Sequence, residues 1–222
     1  MLSTMTGDME FDRHAEREEM IAAQIAGRGL RSPRLLGAIR SVPREAFVPP
    51  ELSPYAYEDR PLPIGFGQTI SQPYIVALMA DALCLMPSDR VLEIGTGSGY
   101  GAAVLSRLAS EVYTVERIAE LAAIASDRLR RLGFGNVTVR TGDGALGWPE
   151  HAPYEAILVT AAGRRVPQAL LDQLVPEGRL VMPVGSHSEL QELVRIVHTP
   201  GRGFERENLG DVAFVPLVSE HA

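Results

Sequence analysis

The sequence predicts an α/β fold: a doubly wound, mostly parallel, Rossmann-like sheet with an antiparallel edge and an N-terminal helical extension. Three observations predict it. The apolar run Val91-Leu92-Glu93-Ile94 breaks into alternating glycines at Gly95-Thr96-Gly97-Ser98-Gly99-Tyr100, as a strand does when it turns tightly into a helix. Two further runs, Val112 to Glu116 and Val137 to Asp143, also end in acids, so one sheet edge gathers Glu93, Glu116 and Asp143 beside the glycines. From Arg90 onward strand-like and helix-like runs alternate, the pattern of βαβ units.

Taken in order, strands are predicted near 90–94, 111–116, 137–141, 155–160 and 179–184, with helices near 99–109, 117–132 and 167–174. Two more strand-like runs, near 190–198 and 205–216, have no helical pattern between them, which predicts antiparallel pairing at one edge. Upstream, apolar positions from Met20 to Ile39 recur among charges, punctuated by Gly27, Gly29 and Pro33; two short amphipathic helices fit them. The segment from Val42 to Gly67 is dense in proline and glycine yet carries Phe47, Tyr55, Tyr57 and Phe66, so it predicts an ordered loop lying on the main domain. Residues 1–80 are expected to form helices and a covering loop, and 81–222 the core, packed as one structural domain.

The 222 residues carry a formal charge of −7, with a pI near 5.3. That balance disfavours binding to nucleic acid or to an anionic membrane, both of which reward a basic surface. The stretch Ile75 to Met86 is too short and too interrupted by Asp81 to span a bilayer, and residues 1–13 do not read as a secretory signal; a cytoplasmic protein is expected. Cys84, the single cysteine, sits in that apolar stretch and is expected to be a packed, inert thiol. His14, His151, His187, His198 and His221 show neither triad setting nor metal-ligand spacing, so no metal is expected.

Gly95 and Gly97 match the first two glycines of a dinucleotide loop, but the third place is Tyr100, with Gly99 one residue early. A pyrophosphate would be poorly served by three carboxylates. S-adenosylmethionine carries a sulfonium and an ammonium and no phosphate, and it suits an acidic edge better. Glu116, about twenty residues past the glycines, is placed to take ribose hydroxyls, and Asp143 to lie by the adenine. The bland alternative is a tight turn whose acids cap helices.

Just before the first core strand lies Gly65-Phe66-Gly67-Gln68-Thr69-Ile70-Ser71-Gln72-Pro73-Tyr74. Its hydroxyls and amide could clamp a small ligand, or Ser71 could cap the following helix, which composition alone favours. Here the chain resembles the protein-L-isoaspartate O-methyltransferase family. The resemblance rests on this segment, on Leu62 to Gly65, on the glycine loop, and on Val115 to Ile118, Gly142 to Gly144, Ala152 to Ile157, Val159 to Ala162, Leu180 to Gly185 and Phe214 to Leu217.

The resemblance implies methyl transfer from S-adenosylmethionine to the free α-carboxylate of L-isoaspartyl residues in damaged proteins, with Ser71 catalytic and no metal. It implies cofactor contacts at Ser98, Glu116, Asp143 and Gly144; together with the residue pattern the expected cofactor-binding set is Gln68, Thr69, Ile70, Ser71, Glu93, Gly95, Gly97, Ser98, Glu116, Asp143, Gly144 and Thr160. The expected partners are isoaspartyl proteins and peptides, met by a monomer. Two departures stand near the expected substrate mouth: Ala213, where bacterial members are expected to carry arginine, and the turn Ala162-Gly163-Arg164-Arg165. Two rival readings remain open from the residues: a methyltransferase acting on another group, and a non-catalytic module that senses cofactor or damaged peptide.

Overall fold

The computed structural model describes residues 13–186 and 190–219. His187 and His221 lie outside the described residues. The chain opens with α1 (His14–Met20), which continues through a π turn and a 3-10 turn and stops where Gly29 turns left-handed, at φ 101°. Helix α2 (Pro33–Arg40) starts with proline in its first turn and with Ser32 accepting from the Leu35 amide, a side-chain cap for one of the amides a helix start leaves unpaired. The aromatic-rich segment that follows is ordered, as its composition predicts. It contains two 3-10 turns and an unforeseen hairpin, β1 (Leu62–Gly65) against β2 (Gln68–Ile70).

Helix α3 (Pro73–Ala82) leads into the main sheet. Its members are β3 (Arg90–Ile94), β4 (Glu111–Glu116), β5 (Val137–Thr141), β6 (Tyr154–Val159), β7 (Leu174–Val184), β8 (Gln191–Thr199) and β9 (Gly203–Val212). Helices α4 (Tyr100–Leu105), α5 (Ala119–Arg131) and α6 (Gln168–Leu171) connect the parallel strands. The spatial order is β5-β4-β3-β6-β7-β8-β9. Strands β3 to β7 pair parallel, while β8 runs antiparallel to both β7 and β9, as the missing helix between those runs implied.

Several boundaries differ from expectation. The first core helix ends at Leu105 and the last spans only Gln168–Leu171, because β7 begins at Leu174, before its register shifts against β6. Glu177 in that stretch has φ 64°, an irregularity that hid the strand's true start. Cys84 is exposed and does not pack: α3 has already ended, and Cys84 turns left-handed at φ 48°, which rotates its side chain off the apolar face.

Alternation along the strands splits the core between two faces. Leu92 and Ile94 pack with Tyr113, Val115, Ile157, Val159 and Leu170 of α6. Val91 packs on the opposite face with Val112, Ala156, Leu158, residues of α3 and α4, and Met20, Ile25, Leu35 and Phe47 from the N-terminal segment. No helix among the described residues is long and apolar enough to cross a membrane.

Candidate active site

The chain leaves β3 and climbs one edge of the sheet through β4 and β5, then crosses back to place β6 on the other side of β3. That reversal opens a crevice beyond the carboxyl ends of the strands, where open α/β sheets bind ligands. A cleft lies there, walled by Ile94 at the end of β3, Gly95 and Gly97 just beyond it, Glu116 at the end of β4, Gly144 after β5 and Thr160 after β6.

The glycine loop is fixed by backbone requirements. Gly95 has φ 95° and its carbonyl accepts from Thr160 Oγ1 at 2.8 Å; a Cβ on Gly95 would overlap that same oxygen. Glu116, almost buried, accepts from the Gly97 amide at 2.9 Å through Oε2 and from the Ile118 amide at 3.0 Å through Oε1. Two backbone donors thus hold the carboxylate at the cleft wall, leaving further acceptor capacity on each oxygen.

The hairpin supplies the next wall. Gln68 and Thr69 reach the cleft from β2, while Ile70 turns the other way into the core. Ser71 lies beyond, in a second and larger groove bounded by Tyr74, Leu78, Leu209, Ala213 and Phe214. Thr69, Thr160 and Val215 line both spaces, so the cleft and the groove share a wall. Ser71 does not cap α3. The cap position is Gln72, without a side-chain hydrogen bond, and the Ser71 hydroxyl has no hydrogen-bond partner among the described residues.

Five residues predicted for the cofactor do not line the cleft: Ile70 and Ser71, already placed, and Glu93, Asp143 and Ser98. Glu93 shares the Val91 face of β3, so alternation sends its carboxyl under α4, next to Gly101. It accepts there from Thr114 Oγ1 at 2.6 Å, and Thr114 in turn meets Thr96 at 2.7 Å. Burial, with a smaller contribution from the nearby Glu116 charge, raises its pKa to about 8. Asp143 accepts from the Ala145 amide at 3.0 Å and from Ser219 Oγ at 2.6 Å, while its neighbour Gly144 faces the cleft. Ser98 is buried, its carbonyl accepting from Arg128 at 2.7 Å.

Other participants escaped the sequence reading. Val215 to Val218 form a strap across the cleft, tied to the turn after β6 by Ala162 N to Val215 O at 2.8 Å and Leu217 N to Ala162 O at 2.7 Å. Arg44 is fully buried behind Ser71. The strap could be suspected only from the Phe214-Val215-Pro216-Leu217 motif; nothing local marked Arg44. The described histidines stay outside both spaces: His151 stacks on Tyr113 at 4.1 Å, His198 meets the Val175 carbonyl, and His14 neighbours Glu18.

A parallel sheet in this order, a glycine loop after its first strand and an acid ending the second define a Rossmann-like fold of the S-adenosylmethionine-dependent methyltransferase class. Comparison with known proteins narrows the class. The model of the protein-L-isoaspartate(D-aspartate) O-methyltransferase family matches residues 15–222. A Pelobacter propionicus protein named protein-L-isoaspartate O-methyltransferase 2 is 60% identical over 202 residues, covering 91% of this chain and 90% of its own. A Nitrosococcus oceani protein of the same name is 51% identical over 217 residues, covering 98% and 99%. A solved protein-L-isoaspartate O-methyltransferase superposes with a TM-score of 0.82 at 31% identity, over 92% of this chain and 67% of that one. A Plasmodium falciparum protein crystallised with S-adenosyl-L-homocysteine shares the fold, at TM-score 0.76 and 23% identity over 92% and 97% of the two chains. The chain belongs to the protein-L-isoaspartate O-methyltransferase family.

Proposed function

We propose that this protein transfers a methyl group from S-adenosylmethionine to the free α-carboxylate of L-isoaspartyl residues in damaged proteins, the first step of their repair. One observation carries the reading: the glycine-loop cleft and the Ser71 groove meet at a wall of Thr69, Thr160 and Val215. A cofactor in the first and a peptide in the second would meet at that wall.

The residues present fit the cofactor. The loop leaves no room for a Cβ at Gly95, and Glu116 is aimed by two amides at the same cleft. In this reading Glu116 accepts from the ribose hydroxyls, Gly144 flanks the adenine, and Gln68 and Thr69 close the hairpin side. When bound, S-adenosylmethionine supplies an electrophilic methyl group on a sulfonium.

The acceptor needs no general base, because an α-carboxyl with a reference pKa of roughly 3.3–3.7 is already ionised at neutral pH. The protein's work is positioning and exclusion of water. Ser71 donates its hydroxyl to one carboxylate oxygen and leaves the other free to attack, while the strap and hairpin shield the meeting point. The same reading has the enzyme working as a cytoplasmic monomer without a metal.

Incubation with methyl-labelled cofactor and paired peptides tests this. The isoaspartyl peptide should gain a methyl ester that mild alkali releases as methanol, and the matched L-aspartyl peptide should stay unlabelled. Equal labelling, or label stable to alkali, would instead favour a methyltransferase acting on another group.

A further inference from the structure

Arg44 begins the 3-10 turn Arg44–Phe47 and is 0% exposed. Its Nε donates to the Ala56 carbonyl at 2.7 Å and its Nη2 to the Ser71 carbonyl at 2.8 Å. Those carbonyls mark the two ends of the excursion that carries the β1–β2 hairpin, and with it Gln68 and Thr69, to the cleft. The guanidinium carbon also lies 4.9 Å from the ring centroid of Tyr100, the buried residue that follows Gly99 and opens α4. One side chain therefore touches the base of the hairpin, the Ser71 backbone and the first residue after the glycine loop.

This placement is expensive. No carboxylate hydrogen-bonds Arg44 among the described residues, and its buried Nη1 has no hydrogen-bond partner there. A buried charge lacking an ion pair costs several kcal/mol, only partly offset by two carbonyls and an aromatic face. An apolar side chain would fill the volume without that cost. What only arginine brings is a rigid planar fork whose donors span two acceptors at fixed spacing.

We propose that Arg44 is a positioning residue for methyl transfer, its fork fixing Ser71 and the hairpin relative to the glycine loop. The inference rests on the reading of Ser71 as the group that orients the acceptor carboxylate. Misplacement of a reacting group by about 1 Å can cost on the order of a hundredfold in rate. Arg44→Lys keeps the charge and loses the fork.

In Arg44→Lys, kcat for an isoaspartyl peptide should fall by about tenfold to a hundredfold, with a smaller fall in S-adenosylhomocysteine affinity, because Gln68 and Thr69 form only one wall of the cofactor cleft. Ethylguanidinium added to Arg44→Ala should restore part of the lost kcat. Turnover within about twofold of wild type in Arg44→Lys would overturn the proposal. So would kcat, cofactor affinity and melting temperature falling together without rescue. An inactive wild-type enzyme on isoaspartyl peptide would overturn the functional reading itself, and this inference with it.

Should neither variant fold, the wild-type protein with ¹⁵N-labelled arginine side chains gives the answer by NMR. The guanidinium best protected from solvent exchange should shift when isoaspartyl peptide joins the S-adenosylhomocysteine complex, and hold still with the aspartyl peptide. A protected guanidinium indifferent to both would also overturn the proposal.

Discussion

Thr160 and Gly95 interlock across the carboxyl ends of β6 and β3: the threonine hydroxyl donates to the Gly95 carbonyl at 2.8 Å and occupies the space a Cβ on Gly95 would need. The second contact, Thr160 Oγ1 to the Ile94 carbonyl at 3.0 Å, fixes the same turn from its other side. The cleft floor is thus set by one glycine and one hydroxyl from strands that are neighbours in space and far apart in sequence.

Gly95→Ala should accordingly be damaging for two separable reasons. The left-handed φ of 95° is costly for alanine, at roughly 1–3 kcal/mol, and the new methyl collides with Thr160. Adding Thr160→Ala should relieve the collision alone. Calorimetric titration with S-adenosylhomocysteine should find binding weakest in Gly95→Ala and partly restored in the double variant; equal affinities in the two would show that the interlock does not shape the cleft.

Glu116→Ala should weaken cofactor binding by about 1.5–3 kcal/mol, the range for losing a hydrogen bond to a charged group. The structure adds a local cost, because the Gly97 and Ile118 amides lose their acceptor as well. Hydrogen exchange should therefore quicken at those two amides in the variant without cofactor, and unchanged calorimetric affinity would remove Glu116 from the binding role.

Ser71→Ala should lower kcat well beyond any change in cofactor affinity. From sequence alone the competing expectation was a lost helix cap, worth about 1 kcal/mol of stability. Since Ser71 does not cap α3, melting should stay close to wild type. A marked loss of stability with normal single-turnover rate would reverse the assignment.

Most of the sheet was legible because β3, β4 and β6 are short, largely apolar runs and the β4–β5 crossover, α5, has a 3.6-period pattern. The cleft was legible because its elements sit at strand ends: Gly95 and Thr160 directly follow β3 and β6, Glu116 ends β4, and Gly144 lies three residues past β5. What escaped has no local signature. The hairpin strands are too short to show alternation among Pro63, Gly65 and Gly67, and Cys84 left its apolar face by a single left-handed residue. Arg44 and the Val215 to Val218 strap act through partners distant in sequence. Glu93 was misjudged for a different reason: ending a strand with an acid does not say which face the acid takes, and period-two alternation sent it beneath α4.

That burial of Glu93 makes stability depend on pH in a defined direction. Its folded-state pKa is raised from 4.5 to about 8, first by desolvation and then by the Glu116 charge. Between those values the folded protein holds a proton that the unfolded chain has released, so stability falls as pH climbs through that window and levels off above it. Below about pH 4.5 the residue is protonated in both states and contributes no slope. Glu93→Gln keeps the shape, can still accept from Thr114, and removes the titration. Melting temperatures measured from pH 5 to pH 9 should therefore decline more steeply for wild type than for the variant, with the gap widest at the alkaline end. Parallel curves would mean that Glu93 is ionised in the folded protein across the range, and that a cation or water reaches it beneath α4.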